Sequence, residues 1–132
     1  MRLLDTTVLV DFLRREENAR RFVQGLEERG ERGATTEVNA FELLAGAHNR
    51  GRPVTARLAA VEKLLSRVDV LPLDRPGAMR AAETLSRLRA DGKDIGILDA
   101  LIAGIALAAG YDTIVTRDQG FRGIAGLRTQ SY

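Results

Sequence analysis

Four acidic residues stand in or beside apolar segments, where a charged side chain is costly to bury. They are Asp5, Glu42, Asp99 and Asp118. Carboxylates that converge repel one another and raise one another's pKa, so such a group is stabilised by a cation. Ligands that are oxygen only, without His or Cys, suit Mg²⁺ or Mn²⁺. Because these ions position a phosphodiester and activate water, the residue types indicate metal-assisted phosphodiester hydrolysis if the fold brings the acids together.

Two of the acids closely follow predicted strands. Asp5 ends the short apolar segment Arg2–Leu4, and Asp118 comes soon after Thr113–Val115. Ligands of open α/β sheets bind beyond the carboxyl ends of the strands. Each acid also has a purely structural explanation. Asp5 could cap a helix or belong to a turn, and Asp118 could cap the turn that follows it.

The other two acids lie on predicted helices. Glu42 is on or beside the apolar stripe that Val38, Phe41 and Ala45 define, so it either needs a partner or reaches solvent at the stripe's edge. Asp99 is the only charged residue between positions 95 and 109.

The face of the helix around Asp99 is apolar. Its neighbours at i+3, i+4 and i+7 are Ile102, Ala103 and Ala106. The helix dipole favours an Asp in the first turn. It does not explain an acid on a helix without a polar face, unless that end of the helix opens into a site.

Strands and helices alternate along the chain, which predicts a parallel sheet covered by helices on both faces, an α/β fold. Thr6 or Thr7 is expected to cap the first helix, and Thr36, or alternatively Asn39, the third. The predicted strands are Arg2–Leu4, Ala34–Thr36, Val68–Leu71, Thr113–Val115 and a weak edge strand Leu127–Gln130. The first predicted helix carries Val8, Leu9, Phe12 and Leu13, and the others are Asn18–Arg29, Glu37–Asn49, Thr55–Ser66, Pro76–Ala90 and Leu98–Ala109. A break at Gly51–Pro53 precedes the helix Thr55–Ser66. The predicted buried face of Pro76–Ala90 consists of Met79, Ala82, Leu85 and Leu88.

The composition limits the classes of protein. The chain has 132 residues, 45% of them hydrophobic, a net charge of +2 and no cysteine. We therefore expect one domain over residues 1–132, without disulfides, thiolate metal sites or cysteine catalysis. Asp5 and Asp11 interrupt the first apolar run, which argues against a signal peptide. The longest near-apolar stretch is too short to cross a bilayer, so a cytoplasmic protein with no membrane partner is expected.

Four segments and a short tail resemble the PIN-domain ribonucleases, specifically the VapC-type toxins of type II toxin–antitoxin pairs. The segments occur in the family's order and at its usual spacing. They are LLDTTVLVDFL at 3–13, TTEVNAFELLAGA at 35–47, DIGILDALIAGIALAAG at 94–110 and TIVTRDQGF at 113–121, followed by GLRTQSY.

The resemblance implies an acidic metal-binding quartet of Asp5, Glu42, Asp99 and Asp118. Asp5 and Asp99 match the most direct ligands of Mg²⁺ or Mn²⁺. Glu42 and Asp118 would complete the coordination and orient water, although Asp118 matches a more variable position. Other matching positions are Thr6 after the first acid, Thr116 with a hydroxyl beside the metal site, and Asp94 as an additional acid of some members.

The implied protein is an endoribonuclease on a three-layer α/β/α sandwich with a short parallel sheet. It would cleave RNA with a metal-activated water, and its products would carry 5′-phosphate and 3′-hydroxyl ends. An antitoxin tail would cover the active site and insert a cation near the acids. A homodimer is also implied, for which Leu43, Leu44, Leu64 and Leu65 offer apolar surface unless the core uses them. His48 is expected to be an ordinary helix residue, and the RNA target stays open.

Three alternatives were weighed. A phospho-acceptor receiver domain needs an early acidic pair and a lysine after a late strand, where this chain has Thr116, Arg117 and Asp118. A dehalogenase-type phosphatase needs a second Asp two residues after Asp5, where Thr7 stands. The stronger alternative is a PIN-like domain that binds RNA or a partner without cutting.

Overall fold

The computed structural model describes residues 2–51 and 53–132 of the chain. Arg52, within the predicted break after the third helix, lies outside the described residues. The strands are β1 (Arg2–Leu4), β2 (Ala34–Thr36), β3 (Asp69–Leu71), β4 (Thr113–Val115) and β5 (Arg128–Gln130). The helices are α1 (Thr6–Leu13), α2 (Glu17–Glu28), α3 (Glu37–Asn49), α4 (Val54–Leu65), α5 (Arg75–Ala90) and α6 (Ile97–Ala108), with a single 3₁₀ turn at Gln119–Phe121.

The five strands form one sheet in the order β3-β2-β1-β4-β5, with every neighbouring pair parallel. The predicted α/β fold with a short parallel sheet is thereby confirmed, including the edge position of β5. Because the strands run the same way, their carboxyl ends meet at one edge. Leu4 of β1 is in register with Val115 of β4, which brings Asp5 next to Thr116.

The sheet separates two hydrophobic cores. Leu3 and Ile114 belong to the core shared with α5 and α6, whereas Leu4 and Val115 belong to the core shared with α1 to α4. Successive side chains of a strand point to opposite faces, so β1 and β4 each contribute to both cores. This is the arrangement of a three-layer sandwich.

The four leucines expected to offer dimer surface are used by the second core. Leu43 and Leu64 are buried, and Leu44 and Leu65 are partly buried and packed against that core. The alternative use that the sequence allowed, packing within the protein, is therefore the observed one.

The packing face of α5 differs from the predicted one. Gly77, Ala81 and Leu88 are buried, whereas Met79 is 65% exposed and Ala82 is exposed. Small residues occupy this face of α5 because α6 approaches it closely. A Cβ atom built on Gly104 of α6 would lie 2.4 Å from the backbone nitrogen of Ala81, a distance that only a glycine tolerates.

Helix caps confirm one prediction and correct another. Thr36 caps α3 in a capping box, because its hydroxyl accepts from Asn39 N (3.1 Å) and Asn39 Oδ1 accepts from Thr36 N (3.2 Å). The predicted Thr6 or Thr7 cap of α1 is wrong. Asp5 occupies that position without a side-chain capping bond, and both threonines lie inside α1 with their hydroxyls bonded elsewhere. The other predicted boundaries agree within one residue.

In residues 2–51 and 53–132, no helix is both long and apolar enough to cross a membrane.

Candidate metal centre

Asp5 is buried at the carboxyl end of β1 and held on both carboxylate oxygens. Its side chain is 3% exposed. Oδ1 accepts a hydrogen bond from Asn39 Nδ2 (3.1 Å), and Oδ2 accepts one from the Thr116 hydroxyl (2.7 Å). These partners come from α3 and from the end of β4, so Asp5 joins three segments that are distant in sequence. Its orientation is fixed by donors that carry no charge.

Glu42 is tied to Asp5 through a threonine and an asparagine. The Thr6 hydroxyl donates to Glu42 Oε1 (2.7 Å) and accepts from Asn39 Nδ2 (2.9 Å). The same Asn39 amide therefore binds Thr6 and Asp5. Asn39 and Glu42 are three residues apart on α3, which places them on one face of the helix. The sequence predicts Asn39 only as a possible cap, although its spacing from Glu42 also indicates this second role.

Asp99 and Asp118 meet at Gly120. Asp99 lies in the first turn of α6, and Asp118 precedes the 3₁₀ turn, where its Oδ1 accepts from Gly120 N (2.8 Å). A Cβ atom on Gly120 would lie 3.1 Å from Asp118 Oδ1 and 3.2 Å from Asp99 Oδ2. Glycine at position 120 leaves these two carboxylates room to approach. Asp118 therefore caps the turn, as its structural explanation predicted, and also lies beside Asp99.

The four acids form one electrostatic cluster. Burial, followed by the negative charges of Asp118, Asp5 and Glu42, raises the pKa of Asp99 from 3.8 to about 6. Burial also raises the pKa of Asp5, with a further contribution from the charge of Asp118. The pKa of Glu42 is raised by burial and then by the charges of Asp5 and Asp118. Shifts of this direction mark carboxylates that repel one another.

No ion pair with a described arginine or lysine neutralises this cluster. In residues 2–51 and 53–132, none of the four acids forms an ion pair with Arg or Lys. In that part of the chain, no three acids are already placed to hold one ion together. The donor set itself fits Mg²⁺ or Mn²⁺, because it is oxygen only, negatively charged and partly buried.

Comparison with known proteins identifies the architecture. The family model described as PIN domain matches residues 2–127. The chain belongs to the PIN-domain family. This confirms the family to which the four sequence segments pointed.

Two curated relatives of this PIN domain are nucleases by name. Ribonuclease VapC19 from Mycobacterium tuberculosis is 33% identical over 121 residues, which cover 92% of each chain. The tRNA(fMet)-specific endonuclease VapC from Shigella flexneri is 31% identical over 97 residues, or 74% of this chain and 73% of that protein. The predicted VapC-type resemblance is confirmed by these relatives.

Solved structures of VapBC assemblies have the same fold. DNA-bound VapBC from Salmonella typhimurium is 26% identical with a TM-score of 0.86, covering 98% of this PIN domain and 96% of that chain. VapBC-5 from Mycobacterium tuberculosis, described as a member of the VapBC family of toxin–antitoxin systems, is 27% identical with a TM-score of 0.71, covering 98% and 97%. VapBC2 from Rickettsia felis is 21% identical with a TM-score of 0.88, covering 99% of this PIN domain and 98% of that chain. At this identity the comparison shows a likeness of fold alone.

The structure of the PIN domain brings together six of the seven residues that the sequence singled out. Asp5, Glu42, Asp99 and Asp118 share one edge of the sheet, and Thr6 and Thr116 each donate a hydrogen bond to one of these acids. Asp94 is exposed and is not among the charges that raise the pKa of Asp5, Glu42 or Asp99. Besides Asn39, two residues of the site were not predicted from the sequence, Gly120 and Thr7. The Thr7 hydroxyl lies 3.4 Å from Asp5 Oδ2 and 3.3 Å from the Thr116 hydroxyl.

Proposed function

We propose that this PIN domain, as one unit over residues 1–132, is a divalent-metal-dependent endoribonuclease and the toxin of a toxin–antitoxin pair. The observation that carries the proposal is the convergence of four carboxylates at the carboxyl edge of the sheet, without a cationic partner among the described residues. The names of the two curated relatives support RNA as the substrate.

The acids have different roles in the proposed reaction. Asp5, oriented by Asn39 and Thr116, and Asp99 at the start of α6 would hold Mg²⁺ or Mn²⁺. The ion would supply Lewis-acid stabilisation of the phosphodiester and lower the pKa of a bound water.

Glu42 and Asp118 would complete the site and orient the attacking water. Glu42 bonds Thr6 through Oε1, so its other oxygen can accept a hydrogen bond from that water. Water adds to phosphorus and the 3′ oxygen leaves, so the products carry 5′-phosphate and 3′-hydroxyl ends. The ribose 2′-hydroxyl takes no part, which fits a site without histidine.

A groove beside Glu42 offers a path for the RNA backbone. It measures about 140 Å³ and lies between α1, α3 and α4, and its lining combines apolar side chains with Glu42, Arg14, Arg50 and Arg57. Arg57 donates from Nε to Ala47 O (3.0 Å), while its Nη2 is the one enclosed side-chain nitrogen or oxygen without a hydrogen-bond partner in the described part of the chain. Arginines next to an acidic site can bind phosphates and position the strand without reading bases.

The likeness to VapBC assemblies supports an antitoxin as partner. Its tail would cover the acid cluster and place a positive charge there, where residues 2–51 and 53–132 supply no ion pair. The proposed homodimer needs a surface other than the four leucines used by the core. Exposed apolar side chains at Phe41 (58%), Met79 (65%) and Ile97 (62%) are candidates for it.

The decisive experiment is incubation of the purified protein with total RNA in Mn²⁺ and in EDTA, followed by mapping of the RNA ends. We expect defined fragments with 5′-phosphate ends in Mn²⁺ and intact RNA in EDTA. Cleavage in EDTA, or 2′,3′-cyclic phosphate ends, would contradict the mechanism. RNA binding without cleavage under any divalent ion would favour the alternative, a non-cleaving PIN-like domain.

A further inference from the structure

Arg117 is the residue between Thr116, which binds Asp5, and Asp118, which lies beside Asp99. Its side chain nevertheless leaves the acid cluster. Arg117 Nη1 lies 3.3 Å from Asp11 Oδ2, and Nη2 lies 3.4 Å from Glu16 Oε2. Arg117 is thus paired with α1 and with the residue that caps α2, rather than with the candidate metal ligands.

Tyr132 completes the surroundings of Arg117. The Arg117 guanidinium lies over the Tyr132 ring, 4.8 Å from its centroid, and the Tyr132 hydroxyl donates to Asp11 Oδ2 (2.5 Å). Burial, then this bond to Asp11, raises the pKa of Tyr132 to about 12. The phenol therefore remains a donor at neutral pH. We call Asp11, Glu16 and Tyr132 the Arg117 clamp.

The backbone around Arg117 connects the clamp to the acids. Arg117 N donates to the Thr7 hydroxyl (3.1 Å), which lies 3.4 Å from Asp5 Oδ2. The Thr116 hydroxyl donates to Asp5 Oδ2 and accepts from Asp118 N (2.9 Å). Residues 116–118 thus place two side chains at the acid cluster and one in the clamp on the other side.

We propose that Arg117 is a positioning residue for the metal site: anchored by Asp11, Glu16 and Tyr132, it fixes residues 116–118 so that Thr116 stays on Asp5 and Asp118 stays beside Asp99. The inference rests on the proposed function. The Arg117 side chain is half-exposed, and ion pairs of exposed side chains contribute little to global stability. The effect of the clamp should therefore be local and should be measured at the metal site.

Because Arg117 is positively charged, the direction of the change in Mn²⁺ affinity distinguishes positioning from a through-space effect of charge. Removing a positive charge near an acid cluster strengthens cation binding through space, because the remaining field becomes more negative. Loss of positioning weakens cation binding. Arg117→Gln therefore separates the two effects by direction, and Tyr132→Phe tests the clamp without any change of net charge.

The experiment is calorimetric titration of Mn²⁺ into the RNA-free protein, together with the melting temperature in EDTA. We expect Arg117→Gln to weaken Mn²⁺ binding by about 10-fold, the scale of losing an outer-shell contact. Tyr132→Phe should weaken it less, since the ring under the guanidinium remains. The matched control is Arg128→Gln, which removes an arginine that pairs with Asp112 (3.4 Å) at the amino end of β5. It should leave Mn²⁺ affinity unchanged.

Each other outcome overturns the inference in a recognisable way. Unchanged or tighter Mn²⁺ binding by Arg117→Gln, with a raised KM for RNA, would make Arg117 a phosphate contact. A lower melting temperature with unchanged Mn²⁺ affinity would make the clamp merely structural. If Arg117→Gln does not fold, Tyr132→Phe alone decides between wild-type affinity and reduced affinity. A wild-type protein that binds no Mn²⁺ would refute the proposed function itself, and the positioning role with it.

Discussion

At the amino ends of the strands each nearby carboxylate faces an arginine, whereas at the carboxyl ends four carboxylates face one another. Three ion pairs surround the amino ends: Arg2–Glu31 (2.5 Å), Arg32–Asp69 (2.6 Å) and Arg128–Asp112 (3.4 Å). Both ends belong to the same sheet and both are rich in acids. They differ in whether the protein supplies the counter-ion.

The direction of the pKa shifts records this difference. Hydrogen bonds from Arg29 and Arg2 lower the pKa of Glu31, and chiefly a hydrogen bond from Thr113 lowers that of Asp112. At the other end, burial and mutual repulsion raise the pKa of Asp99 to about 6. Pocket volume does not identify the site, because a pocket at the amino ends of the strands measures about 460 Å³, whereas the groove beside Glu42 measures about 140 Å³. The unpaired charge, not the volume, marks the candidate active site.

The largest expected effect is the difference in RNA cleavage between two variants, each with one acid neutralised at one end of the sheet. Asp99→Asn should reduce RNA cleavage by more than about 100-fold, because losing a direct ligand costs more than losing an outer-shell contact. Asp112→Asn should leave cleavage unchanged. Both are measured as initial rates on a defined RNA in saturating Mn²⁺.

Stability should change in the opposite order. In EDTA, Asp99→Asn should raise the melting temperature by removing repulsion, while Asp112→Asn should not raise it. Comparable activity in the two variants would abolish the distinction between the two ends.

A smaller effect is expected in the pH dependence of stability without metal. Asp99 has a folded-state pKa of about 6 against an ordinary 3.8, so the folded protein binds its proton more tightly. Its contribution to stability is therefore fully present below pH 4 and is lost as the pH rises through 6. The difference in unfolding free energy between wild type and Asp99→Asn, measured in EDTA from pH 4 to 8, isolates this contribution.

A divalent ion should reverse that dependence. Mn²⁺ binds the ionised carboxylates, so its affinity should fall as the pH is lowered through 6. Wherever it binds, it stabilises the folded state, by about 2.7 kcal/mol at a hundredfold excess over Kd. The melting temperature in Mn²⁺ should therefore rise with pH. The same slope with and without Mn²⁺ would show that the cluster binds no ion.

The smallest effect should follow the loss of an amino-end ion pair. Arg32→Gln leaves Asp69 without its partner, but both side chains are more than half exposed (58% and 53%). We expect a loss of less than about 1 kcal/mol, further reduced in high salt. Chemical denaturation at two ionic strengths measures it. A loss of several kcal/mol would mean that the amino end is as tightly organised as the acid cluster.

Sequence reasoning predicted the features that depend on local pattern. Strand ends placed Asp5 and Asp118, an apolar helix exposed the anomaly of Asp99, and alternation of elements gave the parallel sheet. The resemblance then added Thr116 to the site. These inferences need only periodicity, the direction of strands and short motifs.

The sequence did not reveal what depends on distant pairs. Tyr132 meets Asp11 across 121 positions, and no periodic pattern connects them. The buried face of α5 was misjudged because Met79 is more hydrophobic than Gly77, although close approach of α6 favours the smaller residue. The Thr6 hydroxyl was assigned to a cap because the Glu42 carboxylate, its actual partner, lies 36 positions away.

The contact of Gly104 with Ala81 reaches further than the core. The helix that rests on this contact carries Asp99 five residues earlier, in its first turn. A methyl group added at position 104 would push α6 away from α5 and thereby displace the amino-terminal turn of α6, which carries Asp99. An inactivating substitution can therefore lie at a small, uncharged residue of this contact, far from the acid cluster. Variants made to change the site should therefore keep Gly104 and Ala81 and vary the exposed residues around the acid cluster.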